Sequence, residues 1–259
     1  MKKIITLTMA LFLIISLSAC GSKNETSDTM KKDTLIVGLD DTFAPMGFKD
    51  KDGKIIGFDV DLANEVGKII GKKMQFQPID WSMKETELNN KNIDLIWNGY
   101  SITEERKKQV LFSEPYIDNE QIIVVLKDSP ITKKSDLAGK TVTTQKDSST
   151  EDAFKNDTTG IVSKFKGGAP VLYPTFDDCF MDLDSKRADA LVGDSVLIKY
   201  MIKQKDTDKY RILTDTFGSE EMGVGMRKSD TDLKKAIDDA LNELKANGTY
   251  QKIYDKWFD

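Results

Sequence analysis

The chain has 259 residues, a formal net charge of −5 and no histidine. The acidic balance, with no basic face, argues against nucleic acid as a partner. Without histidine, His-ligated metal sites and His-based catalytic triads are excluded.

The N-terminus carries the pattern of an export signal. Met1, Lys2 and Lys3 are followed by an apolar run over 4–17 and then by Leu-Ser-Ala before Cys20. This predicts a signal peptide at 1–19, which is too short for a stable membrane span. The Cys makes it resemble a bacterial lipoprotein signal, with cleavage before Cys20 and a lipidated thiol. The alternative is an ordinary secretory signal with an incidental Cys.

Lipidation of Cys20 predicts a protein anchored by lipid on the extracytoplasmic face of the cell membrane. Residues 20–32 are polar and are predicted to form a flexible tether. The mature chain would keep 240 residues and a charge of about −7, enough for two lobes with cores. Cys179 would then have no intrachain disulfide partner, and we expect it to be buried as an apolar side chain.

Beyond the tether, strand-like and helix-like patterns alternate. The first set contains a helix that Gly71 ends and a Gly-containing hairpin turn. Its members are strands at 34–38, 74–79, 93–97 and 122–126, the turn at 50–53 and the helix at 59–70. The second set contains a short helical turn at 135–139, strands at 140–144 and 188–192, and helices at 148–155, 176–186 and 194–202.

The chain closes with a helix containing Leu233 and Leu244, for which 229–232 offers a capping box and Gly248 a stop. An amphipathic piece at 250–258 follows. Alternation of this kind predicts an α/β fold with mostly parallel sheets covered by helices. The second set repeats the order of the first, which suggests two lobes that present ligand groups at strand ends.

The most informative segment follows the predicted strand at 93–97. It contains Gly99, Ser101 and Arg106, and Thr103 before two glutamates is typical of a helix N-cap. Free backbone N–H groups and a guanidinium therefore converge at a strand end, a site suited to a small carboxylate. The alternative for Arg106 is an exposed arginine in a basic run, the interpretation we give to the two lysines that follow it.

The pattern G-x-S-x-T-x-E-R, followed by F-S-x-P-Y at 112–116, resembles the solute-binding proteins of polar amino-acid ABC importers. The resemblance covers nearly all of 33–259. It implies a two-lobed periplasmic-binding-protein-like (type II) fold with a ligand cleft between the lobes. Lobe 1 would comprise 33–120 and 222–259, lobe 2 would comprise 121–221, and the hinge strands would lie at 119–121 and 220–222.

The resemblance also implies roles for individual residues. Arg106 would hold the ligand α-carboxylate, with Gly99 and Ser101 in the same loop. The segment at 145–150 resembles the family's Q-x-G-[ST]-x loop, which nominates Gln145, Ser148 and Ser149. There Asp147 stands in place of the usual glycine. The alternative is an ordinary Ser-rich helix N-cap.

Asp194 ends a segment that resembles the family motif R-x-D-A-x-x-x-D, whose last Asp pairs with the α-ammonium. Its alternative role is only to cap the next helix. The first lobe would supply Asp40 and Phe43 through an entry motif, and Trp81 as a second aromatic wall; either aromatic could instead be core. Asn98 stands where small residues often sit in relatives, so it could select a polar side chain.

The leading hypothesis is a monomeric binding protein that captures an amino acid and delivers it to the membrane subunits of an ABC importer, with no cofactor. The alternative is a dehydratase-like enzyme on the same scaffold, for which Glu85, Asp147 and Glu151 are the available proton-transfer groups. A signalling receptor would need a membrane span or signalling module after 259.

Overall fold

The computed structural model describes residues 27–259. The predicted signal peptide, the predicted lipidation site Cys20 and residues 21–26 of the predicted tether lie outside the described residues. The rest of the predicted tether, 27–32, forms a turn. There the Ser27 amide donates to Asp232 (2.7 Å) and the Thr29 hydroxyl to Asp230 (3.0 Å). Residues 27–32 therefore pack against the folded body.

The first part of the chain alternates short strands with helices. In order it contains β1 (Thr34–Leu39), β2 (Thr42–Phe43), β3 (Gly47–Lys49), β4 (Ile55–Ile56), α1 (Phe58–Ile70), β5 (Lys73–Pro78), α2 (Lys84–Asn89), β6 (Leu95–Ile96), α3 (Glu104–Gln109), β7 (Leu111–Phe112) and β8 (Ile117–Leu126). Helix α1 begins with two acids in its first turn and ends at Gly71 in the left-handed region (φ 68°), as its sequence predicts.

The second part of the chain repeats the alternation. It contains β9 (Val142–Gln145), α4 (Ser149–Lys155), β10 (Val171–Tyr173), α5 (Phe176–Asp184), β11 (Ala190–Asp194), α6 (Ser195–Lys205), β12 (Tyr210–Met222), β13 (Gly225–Met226), α7 (Thr231–Ala246) and α8 (Thr249–Phe258). The chain thus has the expected α/β order, with boundaries shifted by a few residues at several elements.

Two five-stranded sheets divide the molecule. The first has the order β5-β1-β6-β13-β7, and the second has the order β10-β9-β11-β8-β12. Strand β1 is parallel to β5 and β6, and β9 is parallel to β10 and β11. Helices cover the sheets, and α1 packs against α7 and α8. We call the part around the first sheet lobe 1 and the part around the second sheet lobe 2.

Strands β8 and β12 carry the chain from lobe 1 into lobe 2 and back. They pair antiparallel, with Asn119 opposite Glu220 and Asp118 opposite Glu221. An isolated bridge joins Ser101 of lobe 1 to Met222 at the end of β12. These two strands are where we place the hinge, and the lobe boundaries at 120/121 and 221/222 are our proposal.

Two local expectations differ from the structure. The predicted strand at 93–97 shortens to Leu95–Ile96, and the side chain of Asp94 beside it binds Arg227 (2.8 Å). The predicted capping box at the start of α7 is absent: Asp230 occupies the cap position without a side-chain cap bond, because its carboxylate binds Arg227 (3.2 Å) and Thr29. In both cases a buried aspartate pairs with Arg227.

The hydrophobic core includes Cys179, which is fully buried in α5 as expected. Burial raises the pKa of its thiol to about 12, so it remains protonated at neutral pH. In residues 27–259 it is a free cysteine.

Candidate functional site

A buried polar group at the start of α1 holds the loop after β6 in place. Gly99 adopts a positive φ of 59°, and its amide donates to Asp59 (2.7 Å), which also accepts from the Tyr116 hydroxyl (3.0 Å). Burial raises the pKa of Asp59 to about 7. The left-handed conformation suits glycine, and Asp59 holds this backbone in place from the start of α1.

Asn98 has both ends of its amide engaged with backbone. Its oxygen accepts from the Asp40 amide (2.9 Å), and its nitrogen donates to the Gly47 carbonyl (3.3 Å). The side chain is 1% exposed. In this arrangement Asn98 fixes the positions of Asp40 and Gly47. The family resemblance did not suggest this role.

Arg106 is buried at the junction of the lobes. Thr103 caps α3 by accepting from the Arg106 amide (3.2 Å), as the sequence predicts. The guanidinium is 4.6 Å from the Tyr100 ring and donates to the carbonyls of Ser101 (3.1 Å) and Asp147 (3.2 Å). Two neutral carbonyls thus hold a cation that is only 5% exposed.

The two lysines after Arg106 behave as a surface run. Lys107 and Lys108 are exposed and pair with Glu104 (2.7 Å) and Glu105 (2.6 Å) three residues earlier. Exposed pairs of this kind contribute little to stability. Burial therefore separates Arg106 from its basic neighbours.

The loop between β9 and α4 faces lobe 1. Gln145 donates to Asp40 (2.7 Å) and to the Pro174 carbonyl (2.9 Å), and the Ser148 hydroxyl donates to the Gln145 carbonyl (2.7 Å). Burial raises the pKa of Asp40. This contact joins two of the predicted site residues across the lobes.

Asp147 adopts a positive φ of 55°. Aspartate is among the few non-glycine residues that tolerate this region. The substitution of glycine by Asp147 is therefore compatible with the loop conformation that the resemblance implies.

Asp194 ends β11 and is 3% exposed. It precedes α6 but makes no side-chain cap bond, so the capping alternative finds no support in the geometry. Its carboxylate accepts from Asn119 (2.6 Å) and Gln121 (3.0 Å). Burial, and then the nearby Glu220 carboxylate, raise the pKa of Asp194 to about 8.

A hydrogen-bond network joins these groups. The hydroxyls of Ser101 and Ser149 are 3.0 Å apart across the lobes, and both bind Glu220 (2.6 and 3.0 Å). Gln121 donates to Ser149 (3.1 Å) as well as to Asp194. The network runs from the Arg106 loop to Asp194, so the two charged groups named from the sequence share one buried region.

Three residues of this network were predicted only as hinge residues. Asn119 and Gln121 alternate on β8 and so point to one face, which is a signal that the sequence contains. Glu220 reaches them through the pairing of β12 with β8, across about a hundred residues of chain. That pairing is not readable from local pattern.

The two predicted aromatic walls pack against protein side chains. Phe43 is 6.0 Å from the ring of Phe176 in lobe 2, and Trp81 is 5.8 Å from Tyr100 at a near-perpendicular angle. Phe43 and Trp81 are 6% and 8% exposed. Phe43 therefore bridges the lobes, whereas Trp81 contributes to the hydrophobic cluster of lobe 1.

Lys84 is a second buried cation that sequence analysis missed. Its ammonium donates to the carbonyls of Trp81 (3.2 Å) and Asp147 (3.0 Å) and lies 3.4 Å from Glu85. Burial, and then the Arg106 charge, lower the pKa of Lys84 to about 8. The Glu85 carboxylate also accepts from the Tyr100 hydroxyl (2.8 Å), so it is engaged within lobe 1.

Between residues 27 and 259, no cluster of three metal-ligating side chains was found. In the same range, no helix is both long enough and apolar enough to cross a bilayer.

Comparison with known proteins gives a consistent result. The family model for bacterial extracellular solute-binding proteins, family 3, matches residues 35–259. The arginine-binding extracellular protein ArtP of Bacillus subtilis (strain 168) is 33% identical over 258 residues, which cover 100% of this chain and 98% of ArtP.

Solved structures agree. A substrate-binding protein of an ABC uptake transporter from Streptococcus pneumoniae, with bound histidine, has a TM-score of 0.86 and 39% identity, covering 89% of this chain and 94% of its own. The ancestral amino acid-binding protein AncCDT-1, a precursor of cyclohexadienyl dehydratase, has a TM-score of 0.80 and 35% identity, with coverage of 89% and 97%. This two-lobed chain therefore belongs to the bacterial extracellular solute-binding proteins, family 3.

Proposed function

We propose that this protein captures a free α-amino acid between its two lobes and delivers it to an ABC importer. The observation that carries the proposal is the buried network in which Arg106 and Asp194 are joined through Ser101, Ser149 and Gln121. A zwitterion needs one cation for its carboxylate and one anion for its ammonium. Both are available in a single buried region that spans the lobes.

Arg106 is the proposed carboxylate clamp. A guanidinium binds a carboxylate through two parallel, charge-assisted hydrogen bonds, which are stronger than bonds to neutral carbonyls. Its present acceptors are the backbone carbonyls of Ser101 and Asp147. A ligand carboxylate would therefore be a better partner than either. Gly99, Ser101, Ser148 and Ser149 belong to the loops around this clamp.

Asp194 is the proposed ammonium site. Its present donors, Asn119 and Gln121, are neutral amides. Burying a carboxylate without a cation is costly, and a bound ammonium would remove that cost. Asp40, Phe43, Trp81, Asn98 and Gln145 complete the proposed ligand-binding set.

Closure of the lobes on the ligand is the proposed mechanism of capture. Contacts across the lobes include Arg106 with the Asp147 carbonyl, Gln145 with Asp40, and the Thr103 hydroxyl with Asp152 (3.1 Å). A ligand that touches both lobes stabilises this arrangement over an open one. The hinge strands β8 and β12 would carry the rotation.

We further propose a lipid anchor at Cys20 and a monomeric protein that docks on the importer. The lipoprotein-like signal before Cys20 supports the anchor. Metabolic labelling with a fatty acid analogue should mark wild type but not Cys20→Ala. Equal labelling of both would contradict the anchor.

We also infer that the bound amino acid is not converted. The named relatives are binding proteins, although AncCDT-1 is described as a precursor of a dehydratase. Of the proton-transfer candidates, Glu85 is bound to Tyr100 and Glu151 accepts from the Asp147 amide (2.5 Å). Mass spectrometry of bound amino acids and of prephenate after incubation should find them unchanged.

The central test is a thermal-shift screen of the twenty standard L-amino acids and L-cystine against wild type and Arg106→Ala. At a hundredfold excess over Kd, a ligand stabilises the folded state by about 2.7 kcal/mol, roughly 5–10 °C for a protein of this size. We expect this shift in wild type and its loss in Arg106→Ala.

Lys107→Ala is the matched control, because it removes a neighbouring but exposed cation. It should keep the wild-type response. A wild-type response in Arg106→Ala would reject Arg106 as the carboxylate clamp, and no response of wild type to any amino acid would reject the proposed function.

A further inference from the structure

We propose that Glu220, on hinge strand β12, is a second anion of the ammonium site and contacts the ligand α-ammonium together with Asp194. This inference rests on the proposed function and deepens it. It assigns the recognition of the ammonium to a pair of carboxylates, one from the end of β11 and one from the hinge.

The two carboxylates share their hydrogen-bond donors. The Asn119 side-chain nitrogen donates to Asp194 (2.6 Å) and to Glu220 (2.7 Å), and the Gln121 side-chain nitrogen donates to Asp194 (3.0 Å) and to Glu220 (2.7 Å). One oxygen of each acid lies within hydrogen-bond distance of the same two nitrogens. A single small cation can therefore contact both oxygens.

No charge within the network compensates the pair. The donors to Glu220 are the neutral side chains of Asn119, Gln121, Ser101 and Ser149. Strands β8 and β11, helix α4 and the loop after β6 thus face the pair with amides, hydroxyls and the Asp194 carboxylate itself. Arg106 binds the carbonyl of Ser101 rather than either acid.

Two carboxylates that share the same donors repel each other when no cation lies between them. Asp194 is buried and Glu220 is partly buried, so this repulsion is only partly screened by solvent. An α-ammonium supplies a positive charge and three N–H donors, so it can contact both carboxylates and offset the repulsion. Glu220 therefore adds affinity for an amino acid that a ligand without the amino group would not gain.

Glu220 also contacts both lobes and borders open space. With Gln121 and Ser149 it lines an open cavity of about 370 Å³, and the residues lining that cavity do not include Arg106 or Asp194. The Glu220 oxygen contacts Ser101 of lobe 1 and Ser149 of lobe 2. The ammonium site as proposed is therefore complete only when the lobes are together.

The same contacts allow an opposite role, in which the Glu220 carboxylate occupies Ser101 and Ser149 in place of the ligand carboxylate. In that case Glu220 would compete with the ligand, and its removal would tighten binding. The two roles predict changes of opposite sign, so one titration separates them.

The experiment measures Kd by isothermal titration calorimetry for wild type, Glu220→Gln and Glu221→Gln. Glu221 is the matched control, since it is the next residue on β12 and is exposed. The probes are the twenty standard L-amino acids and L-cystine, and, for each one that binds wild type, the same molecule without its α-amino group.

We expect Glu220→Gln to weaken amino-acid binding by about tenfold or more, the usual size of a charged hydrogen bond. Glu221→Gln should change it less than twofold. The analogues without an amino group should bind wild type and Glu220→Gln within twofold of each other, because the lost interaction needs the ammonium.

Unchanged or tighter binding of the amino acids by Glu220→Gln would overturn the inference, as would an equal loss for the analogues, which marks a structural role only. If Glu220→Gln does not unfold cooperatively, Glu220→Asp replaces it. This variant keeps the charge but shortens the side chain by one methylene, and we again expect weaker binding of the amino acids by about tenfold. Wild type that binds none of the amino acids overturns the proposed function, and the inference with it.

Discussion

Two buried arginines of lobe 1 are bound in opposite ways. Arg227 is 8% exposed and pairs with Asp94 (2.8 Å) and Asp230 (3.2 Å), and it also donates to the carbonyls of Leu88 (2.9 Å) and Ile93 (2.7 Å). Arg106 is 5% exposed, yet its guanidinium is held by two carbonyls and the Tyr100 ring.

The difference separates a charge that serves the fold from a charge that we propose serves the ligand. Arg227 is matched by two carboxylates of its own chain, so an external anion would gain nothing there. Arg106 has only neutral acceptors within the described residues, so an external carboxylate improves its environment. Burial is nearly the same in both cases, and the identity of the partners carries the distinction.

The largest expected effect tests the structural side of this comparison. Arg227→Ala leaves Asp230 buried without its cation and leaves Asp94 with only the partly exposed Lys32. Removal of one partner from a buried pair costs about 3–5 kcal/mol. Urea unfolding at pH 7 should show this loss, while the fraction that stays folded should still respond to an amino acid. A loss of less than about 1 kcal/mol in the free energy of unfolding would contradict the structural role of Arg227. Arg106→Ala should lower the free energy of unfolding by less than Arg227→Ala does.

A second prediction concerns Asp194 in the ligand-free protein, where its carboxylate is bound by the neutral amides of Asn119 and Gln121. The folded-state pKa of Asp194 is raised to about 8 from the ordinary 3.8, so the folded protein retains a proton that the unfolded chain has released. The contribution of this proton to the free energy of unfolding is therefore fully present below about pH 4 and is lost as the pH rises to about 8. Asp194→Asn should remove this loss, with a difference of at least about 1 kcal/mol between pH 5 and 8.

Calorimetric unfolding at fixed ionic strength measures that difference. Asp59, whose pKa is raised to about 7 by burial, contributes a decline of the same sign in both proteins and cancels in the comparison. Parallel pH profiles for wild type and Asp194→Asn would show that the carboxylate is already matched by its amide donors.

The smallest expected effect sharpens the account of Arg106. Both Arg106 (3.2 Å) and Lys84 (3.0 Å) contact the backbone carbonyl of Asp147, not its carboxylate. Asp147→Gly keeps that carbonyl and relieves the positive φ, so it should stabilise the protein by about 0.5–1 kcal/mol and leave the amino-acid response unchanged. Asp147→Ala is the control, since it keeps the strain and removes the same carboxylate. Loss of the response in both variants would assign a role to the carboxylate.

Part of the site was predictable because its signals are local. Thr103 before two glutamates predicts the cap of α3, and the strand–loop–helix order around Gly99 and Arg106 predicts where their groups meet. Similarly, the apolar run that ends at Asp194 predicts a carboxylate at a strand end. Each of these requires only a few neighbouring residues, and the α/β fold follows from the same alternation.

The rest depends on contacts between distant segments. Glu220 meets Asn119 through strand pairing, Lys84 meets Asp147 across the lobes, and the Asn98 amide is used by the backbone of Asp40 and Gly47. A sequence gives the chemical type of each residue but not which partner satisfies it. The predicted role of Asn98 in selecting a side chain stays a prediction for this reason.

Residues 27–32 bind to lobe 1, which bears on the proposed closure of the lobes. Ser27 is tied to Asp232 and Thr29 to Asp230, while the ammonium of Lys32 pairs with Asp94 (2.6 Å). The start of the folded body is therefore clamped to lobe 1, next to the Arg227 ion pairs. If a lipid holds Cys20 at a bilayer, as we propose, lobe 1 is the lobe attached to that surface, and in the proposed closure lobe 2 moves relative to the attached lobe.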